Sequence, residues 1–253
     1  MERGKRTVTE MAVVGVIASA IGIAAALLIN WFPASASKQA GPIDQLWDVL
    51  LIVSVPVFVL VTVIVLYSVK LFRVRPGQEL MDGPPVHGNT RLEVIWTTIP
   101  ALIIASLVVY AYLVLHDIEK APAAANAEMH VKVTGRQFTW YFEYEDTKVA
   151  GKPIRSAQLY VPEGKSVKFD VVSEDVLHDF WVPNWRMKID AVPGITTHYR
   201  VTPDKVGSYP VVCAELCGLG HAFMRQTANV LPQAEFDAWL TKQQQAAQKA
   251  ATS

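Results

Sequence analysis

The segment from Cys213 to Met224 contains three kinds of side chain that bind soft metal ions. Its sequence, Cys-Ala-Glu-Leu-Cys-Gly-Leu-Gly-His-Ala-Phe-Met, places two thiols, an imidazole and a thioether within twelve positions. Thiolate and thioether sulfur favour copper, and imidazole is also a good copper ligand. A tight loop can aim Cys213, Cys217, His221 and Met224 at one point. We therefore treat this loop as a candidate copper site.

The two thiols also allow a simpler interpretation. Cys213 and Cys217 are the only cysteines of the chain, and in an oxidising compartment they could form a disulfide beside an incidental His221 and Met224. A blue-copper centre uses one cysteine, two histidines and a weak methionine, whereas two cysteines could bridge two ions. That arrangement needs a second imidazole. His178, at the end of an expected strand, is the best candidate, and an ordinary packed histidine is the alternative.

Three apolar runs lie before residue 117, and they predict a membrane anchor. They extend from Met11 to about Phe32, from Trp47 to about Leu71 and from Ile95 to about Leu115. The second and third runs have no charge through their middles and are near the length that a bilayer requires, which favours a transmembrane hairpin over buried helices of a soluble protein. The balance of 23 basic against 23 acidic residues gives no indication of nucleic-acid binding.

The first run has two interpretations. Arg3, Lys5 and Arg6 precede it and Ala34-Ser35-Ala36 follows it, which is the pattern of a secretory signal. Its length of about 20 residues exceeds a signal core and is enough to span a bilayer, so a retained helix is the other interpretation. Residues 1–36 are therefore a signal peptide or a first transmembrane helix.

The loop charges predict the orientation of the hairpin. Basic residues flank the connection between the second and third runs, which marks that connection as cytoplasmic. Everything after about Asp117 then lies on the outer face of the membrane, where the cysteines meet an oxidising environment. The basic residues are Lys70, Arg73, Arg75 and Arg91.

The remainder of the chain has the pattern of an all-β domain. The small-residue linker Ala121–Ala125 precedes it, which gives a hairpin at residues 37–120 and an outer domain at residues 121–253. Short runs of β-forming residues between turns predict a β-sandwich, and Gln233 to about Lys249 predicts one helix. The expected strands are Met129–Thr134, Phe138–Tyr144, Gln158–Val161, Val167–Val172, Thr197–Val201, Tyr209–Val212 and Gln226–Leu231.

Four stretches together resemble cytochrome c oxidase subunit II. They are the loop Cys-x-Glu-x-Cys-Gly-x-x-His-x-x-Met, the hexapeptide Ser-Glu-Asp-Val-Leu-His that ends at His178, Lys188–Gly194 and Glu93–Pro100. The likeness extends from about Pro42 to Trp239. It implies a membrane-anchored all-β protein, in which a helical hairpin, or three helices, precedes a cupredoxin-like Greek-key β-sandwich.

The resemblance also implies a ligand set for CuA, a dinuclear mixed-valence copper centre. Cys213 and Cys217 would bridge the coppers, His178 and His221 would each bind one, Met224 would be a weak ligand, and the Glu215 carbonyl would complete the set. The family also implies that the Glu215 carboxylate helps hold Mg²⁺ at the contact with subunit I. A solvent-facing carboxylate is the alternative for Glu215.

The resemblance implies a function for two further carboxylates. Glu93 would lie at the mouth of a proton-uptake pathway, or would only end a helix as an interfacial charge. Asp190 would meet subunit I, or would be a simple turn residue.

Electron entry departs from the family pattern. Many relatives read Gly-x-Gln-Trp-x-Trp, whereas this chain has Gly-Arg-Gln-Phe-Thr-Trp. Phe138 stands where the entry tryptophan is expected, and Trp140 matches the second tryptophan, for which core packing is the alternative. Donor docking would be electrostatic if six carboxylates form an acidic patch near the loop, and an ordinary solvated face is the alternative. They are Glu143, Glu145, Asp146, Glu174, Asp175 and Asp179.

The resemblance implies a subunit that takes electrons from cytochrome c and passes them to haem in subunit I. Oxygen reduction and proton pumping would follow in an enzyme that also contains subunit III, in the plasma membrane of a bacterium with the copper domain outside. The alternatives are a copper-free subunit II of a quinol oxidase and a non-redox membrane-anchored module closed by a disulfide.

Overall fold

A computed structural model describes residues 2–74, 77, 85, 87–122 and 128–252. Arg75, in the loop predicted to be cytoplasmic, and residues 123–125 of the predicted linker lie outside the described residues. The chain forms two compact units. One consists of Met1–Trp31 and Gln45–Leu113, and the other consists of Phe32–Asp44 and Val114–Ser253.

The first unit is helical. Helices α1 (Glu2–Leu28), α2 (Ala40–Phe72) and α3 (Thr90–Ile118) cover the three apolar runs, and among the described residues all three are long and apolar enough to cross a membrane. Two hydroxyls in these helices bond within their own helix, as expected where a bilayer core offers no water. Thr62 donates to the Phe58 carbonyl and Ser106 donates to the Leu102 carbonyl, both at 2.8 Å.

The second unit is a sandwich of two five-stranded sheets. The strands of the first sheet lie in the order β3-β2-β1-β5-β8, and those of the second in the order β4-β10-β9-β6-β7. The β1–β5 and β4–β10 pairs are parallel and the remaining pairs are antiparallel. The strands are β1 (Glu128–Arg136), β2 (Thr139–Val149), β3 (Lys152–Ser156), β4 (Leu159–Pro162), β5 (Ser166–Ser173), β6 (His178–Val182), β7 (Met187–Ala191), β8 (Thr197–Val201), β9 (Gly207–Cys213) and β10 (Arg225–Leu231).

Alternation of side chains along the strands builds the core between the two sheets. Every second residue of β5 is buried, as expected for a strand that has one face on a core. Large aromatic rings fill the interior, and Phe180 of β6 contacts Trp140 and Phe142 of one strand and Phe169 of another. This packing fixes β6, at whose first position the candidate ligand His178 stands.

The predicted fold class is confirmed, and three strands were not expected from the sequence. The missed strands are β3, β6 and β7. The polar residues His178 and Asp179 open β6 and are both buried. This strand therefore lacks the run of apolar residues by which other strands were predicted. His178 therefore begins a strand and does not end one. Helix α4 (Gln233–Thr252) follows the sandwich, and its Trp239 stacks on Tyr160 with ring centroids 4.4 Å apart.

Candidate metal centre

The loop between β9 and β10 is held in a closed form by backbone hydrogen bonds. Cys213 N–H donates to the Met224 carbonyl at 3.1 Å, which joins the two ends of the loop. Ala214 N–H donates to the Asp179 carbonyl at 3.0 Å and so ties the loop to β6. Gly218 has φ of 129°, which favours glycine. A short 3₁₀ turn at His221–Phe223 then returns the chain to β10.

This closed loop brings the predicted side chains together. Cys213 Sγ lies 3.8 Å from Cys217 Sγ and 3.8 Å from Nδ1 of His178. Cys217 Sγ lies 3.7 Å from Nδ1 of His221 and 3.8 Å from Sδ of Met224. The Glu215 carbonyl oxygen is 3.2 Å from Cys213 Sγ. Each thiol sulfur thus lies next to a different imidazole ring.

These separations suit metal ligands and do not suit a disulfide. Both cysteines are free and buried, and their 3.8 Å separation is far beyond an S–S bond of about 2.0 Å. Metal–sulfur bonds of about 2.3 Å and metal–nitrogen bonds of about 2.0 Å place two ligands of one tetrahedral ion about 3.5 to 3.8 Å apart. The potential ligand atoms of His178, Cys213 and Cys217 all lie within 4.8 Å of one another. The residues therefore fit a metal site.

Electrostatics also favours a cation between the thiols. Burial, and after it like-charge repulsion and hydrogen bonding with the neighbouring Cys213, raise the pKa of the Cys217 thiol to about 11. Two adjacent thiolates without a counter-charge would repel each other in this site. A bound metal cation removes that repulsion, because thiolates are the form that coordinates metal.

His178 is oriented by its surroundings before any metal arrives. The ring is fully buried, and Nε2 lies 2.8 Å from a carboxylate oxygen of Asp175, so Nδ1 faces Cys213. Metal-binding histidines commonly donate their second ring N–H to a carboxylate in this way. A side chain at Gly135 would meet the imidazole at 3.1 Å and Trp140 at 2.9 Å, so glycine allows the close approach of this strand.

Asp175 is held as a carboxylate by several donors. Burial raises the pKa of Asp175, but hydrogen bonds from the Gln137 and Val176 N–H groups and from the His178 ring outweigh burial and lower it. The two backbone bonds measure 2.8 Å and 2.7 Å. Sequence reasoning assigned Asp175 to the acidic patch and did not predict this role. Its position three residues before the histidine was the available signal.

Phe138 lies directly against the loop, whereas Trp140 lies in the core. A Cβ atom added to Gly220 would stand 2.4 Å from the Phe138 ring, so the ring covers that glycine. Phe138 remains 38% exposed. Gln137 donates from Nε2 to the Cys217 carbonyl at 2.7 Å. Trp140 is fully buried with its ring edge towards His178 at 5.9 Å.

The six carboxylates of the predicted acidic patch are not gathered. Asp146 lies seven residues along β2 from Thr139, which is about 23 Å at the usual rise of a strand, and it accepts a bond from His130 N–H. Asp179 is buried, and that burial raises its pKa to about 6 against the opposing effect of Lys188. Glu174 is loosely paired with Arg136 at 4.0 Å, and Glu143 is paired with Lys132.

The remaining predicted residues lie at exposed positions. The Glu215 and Asp190 side chains are not buried within this chain. Glu93 accepts a bond from Asn89 N–H at 3.3 Å while Asn89 accepts one from Leu92 N–H at 3.2 Å. This reciprocal pair caps the start of α3.

Comparison with known proteins identifies the family. Residues 152–230 match the model of the periplasmic domain of cytochrome c oxidase subunit II, and residues 24–114 match the model of its transmembrane domain. Subunit 2 of cytochrome c oxidase from Thermostichus vulcanus is 32% identical over 281 residues, covering 88% of this chain and 84% of the relative. The chain belongs to the cytochrome c oxidase subunit II family.

Other members share part of its length. Cytochrome c oxidase subunit 2 of Alkalihalophilus pseudofirmus is 38% identical over 198 residues, which are 75% of this chain and 56% of the relative. A crystal structure of the periplasmic domain of subunit II from Bradyrhizobium japonicum is 29% identical and covers 50% of this chain and 99% of that chain, with a TM-score of 0.44. As a subunit II, the chain is part of a membrane-bound haem–copper oxidase, an oxidoreductase complex, and its histidine–cysteine cluster suggests copper binding.

Proposed function

We propose that this subunit II accepts electrons from cytochrome c at a CuA centre and passes them to haem in subunit I. The supporting observation is the pair of buried free thiols, 3.8 Å apart, each facing a different imidazole. Such a set suits two bridged ions better than one blue-copper ion, which uses a single cysteine. When bound, the dinuclear centre supplies a one-electron store whose bond lengths change little between redox states.

The ligand assignment follows these contacts. Cys213 and Cys217 would bridge the two ions, since each sulfur lies near the other and near its own imidazole. His178 and His221 would each bind one ion through Nδ1. Met224 is fully buried beside Cys217, and its thioether would be a weak ligand. The Glu215 carbonyl would complete the set from the side of Cys213.

The surrounding residues keep the site rigid and poor in water. Asp175 fixes the ring of His178, and Gln137 fixes the backbone beyond Cys217. Trp140 and Phe180 pack behind His178 and exclude water from the inner side. Such orientation of ligands and exclusion of solvent tune a metal's affinity and redox potential.

Electrons would enter across Phe138. Its ring is partly exposed and lies on Gly220, two residues beyond Gly218 of the same loop. It therefore offers a donor protein an apolar contact next to the ligand loop. Trp140, being buried, would act through packing on His178 and not as the first contact.

Three further roles complete the proposal. The exposed carboxylate of Glu215 would help hold Mg²⁺ at the contact with subunit I, since hard oxygen ligands suit that cation. Glu93, besides capping α3, would stand at the entrance of a proton-uptake pathway on the cytoplasmic side. Asp190 would contact subunit I. Subunit III would complete the enzyme, in a bacterial plasma membrane with the β-domain on the outer face and with proton pumping coupled to oxygen reduction.

A metal analysis of the purified oxidase tests the copper assignment. We expect two coppers per subunit II beyond those of subunit I, together with a near-infrared absorption that disappears in Cys213→Ser. His198→Ala is the matched control, because this histidine pairs with Asp170 away from the loop. A disulfide between Cys213 and Cys217 in the active enzyme would refute the proposal and favour the non-redox module. An active enzyme whose subunit II contains no copper would favour the quinol oxidase.

A further inference from the structure

The segment Phe32–Asp44, which we name the strap, belongs to the β-domain unit although it lies between two membrane helices in the sequence. Its residue Ala36 is 1% exposed and is part of the hydrophobic core of the sandwich. Ser37 forms a bridge with Pro203, next to the end of β8. From these contacts we infer that the chain is not cut after Ala36, so that α1 remains as a permanent third membrane helix.

The residues before the potential cut make hydrogen bonds that only an intact strap provides. The carbonyls of Pro33, Ala34 and Ser35 accept bonds from Arg186, Asn184 and Lys205 at 3.0, 2.9 and 2.7 Å. Ala36 donates to the Asn184 carbonyl at 2.8 Å and accepts from Asp204 N–H at 3.3 Å. A cut after Ala36 removes the strap partner from all of these bonds, and the loss of several hydrogen bonds lowers the stability of the domain.

A cut would also create a charge where the domain excludes water. Ser37 would carry a new α-ammonium group, and this residue is 4% exposed. Its hydroxyl donates to the Trp185 carbonyl at 2.9 Å and accepts from Ala40 N–H at 3.2 Å, at the start of α2. Moving this charge out of water is unfavourable, and the intact peptide bond avoids it.

Arg186 anchors the strap from the domain side. It has φ of 57°, an uncommon conformation for a residue with a side chain. Its guanidinium binds both carboxylate oxygens of Asp44 at 2.7 and 3.0 Å and lies 4.7 Å from the centre of the Phe32 ring. Arg186 therefore contacts both ends of the strap, on either side of the potential cut.

The small residues of the strap have a structural explanation. Ala34-Ser35-Ala36 has the composition of a signal-peptidase site. In the fold, however, the strap lies between the turn at Pro183–Trp185 and the chain that follows β8, and Ala36 and Ala40 are almost completely buried. Packing therefore accounts for a small residue at these two positions, whereas Ala34 is exposed.

The N-terminus of the protein purified from bacterial membranes tests the inference. Intact-mass measurement and peptide mapping should place it before Arg6, where the apolar membrane span of α1 begins. A chain that starts at Ser37, or anywhere else after Arg6, would overturn the inference. The measurement does not involve copper, so its outcome is separate from that of the proposed function.

A stability comparison tests the physical reason. In two variants a cleavable foreign leader would replace the residues that precede the new start, so that one mature chain begins at Phe32 and the other at Ser37. In the metal-free state we expect the Ser37 chain to melt at least about 5 °C lower, and equal melting temperatures would refute the argument. Arg186→Ala should likewise lower the melting temperature more than Arg155→Ala, whose arginine lies over the Tyr141 ring and does not contact the strap; equal effects would contradict the anchor role.

Discussion

His178 and His221 each approach one of the two thiols, but one lies inside the β-sandwich and the other lies on its rim. His178 begins β6, is fully buried and is bonded to Asp175. His221 begins a short 3₁₀ turn in which no described residue is buried, and the adjacent Phe223 is 84% exposed. The first ligand is thus positioned by the fold, whereas the second is positioned by a loop on the surface.

The inner side of the site is therefore rigid, whereas its outer side is accessible from the solvent. Ligands fixed by a core need no rearrangement when metal binds, which lowers the cost of binding. Ligands on an exposed turn leave a path for the metal to enter. We therefore expect the inner side of the centre to be formed before metal binds, and the outer side to be completed by the metal.

Removal of a bridging sulfur should have the largest effect on electron transfer, because it removes a ligand that the inner and outer sides of the metal site share. Cys217 contacts His221 and Met224 and lies 3.8 Å from Cys213. We expect Cys217→Ser to reduce electron entry from cytochrome c by more than about 100-fold, a larger loss than that typical of residues which only orient a ligand. Stopped-flow reduction of the assembled oxidase measures this rate. A normal rate would contradict the bridging assignment.

Replacing each histidine in turn distinguishes the buried inner side of the metal site from its exposed outer side. Both His178→Ala and His221→Ala should abolish the near-infrared copper absorption. In the metal-free state, His178→Ala should also destabilise the domain by about 2–4 kcal/mol, since it empties a buried position, while His221→Ala should change stability by less than about 1 kcal/mol. Denaturant unfolding of both variants measures the difference. Equal destabilisation would show that the two sides are equally integrated into the fold.

The Asp175 carboxylate should account for part of the rigidity of the inner side. Asp175→Asn keeps the size of the side chain but removes the charge that accepts the His178 N–H, so copper affinity should fall by about 10–100-fold. Glu174→Gln is the matched control, because Glu174 is exposed and lies 4.0 Å from its only described partner, Arg136. Competition with a copper chelator measures both affinities. If the two variants bind copper equally well, Asp175 does not support the ligand.

The inner and outer sides also differ in what the sequence alone could predict. The loop ligands Cys213, Cys217, His221 and Met224 were predicted because they are close in sequence and chemically distinctive. The long apolar runs and the alternating strands predicted the anchor and most of the sandwich. These signals are local, and they need no knowledge of how distant strands pair.

The features that were missed depend on distant pairing. Gly135 of β1, in one sheet, approaches His178 of β6, in the other sheet, which no local pattern indicates. The predicted acidic patch did not allow for the length of β2, which carries Asp146 away from the loop. The strap was taken only as a cleavage signal or a helix end. Its partners, from Asn184 to Lys205, lie 150 to 170 residues further along the chain.

The smallest effect that we predict is that of salt on donor binding at the outer side. Large apolar side chains are exposed in and near the loop, among them Phe138 at 38% and Leu219 at 104%, and the carboxylate of the nearby Asp175 is engaged by hydrogen bonds. The second-order rate constant for reduction by cytochrome c should therefore fall less than about 10-fold when ionic strength rises from about 0.01 M to about 0.15 M, whereas steered association falls steeply over that range. Phe138→Ala should lower this rate constant at both ionic strengths, because it removes apolar contact and no charge. A fall of about 100-fold or more in the unmodified protein would instead indicate that surface carboxylates steer the donor.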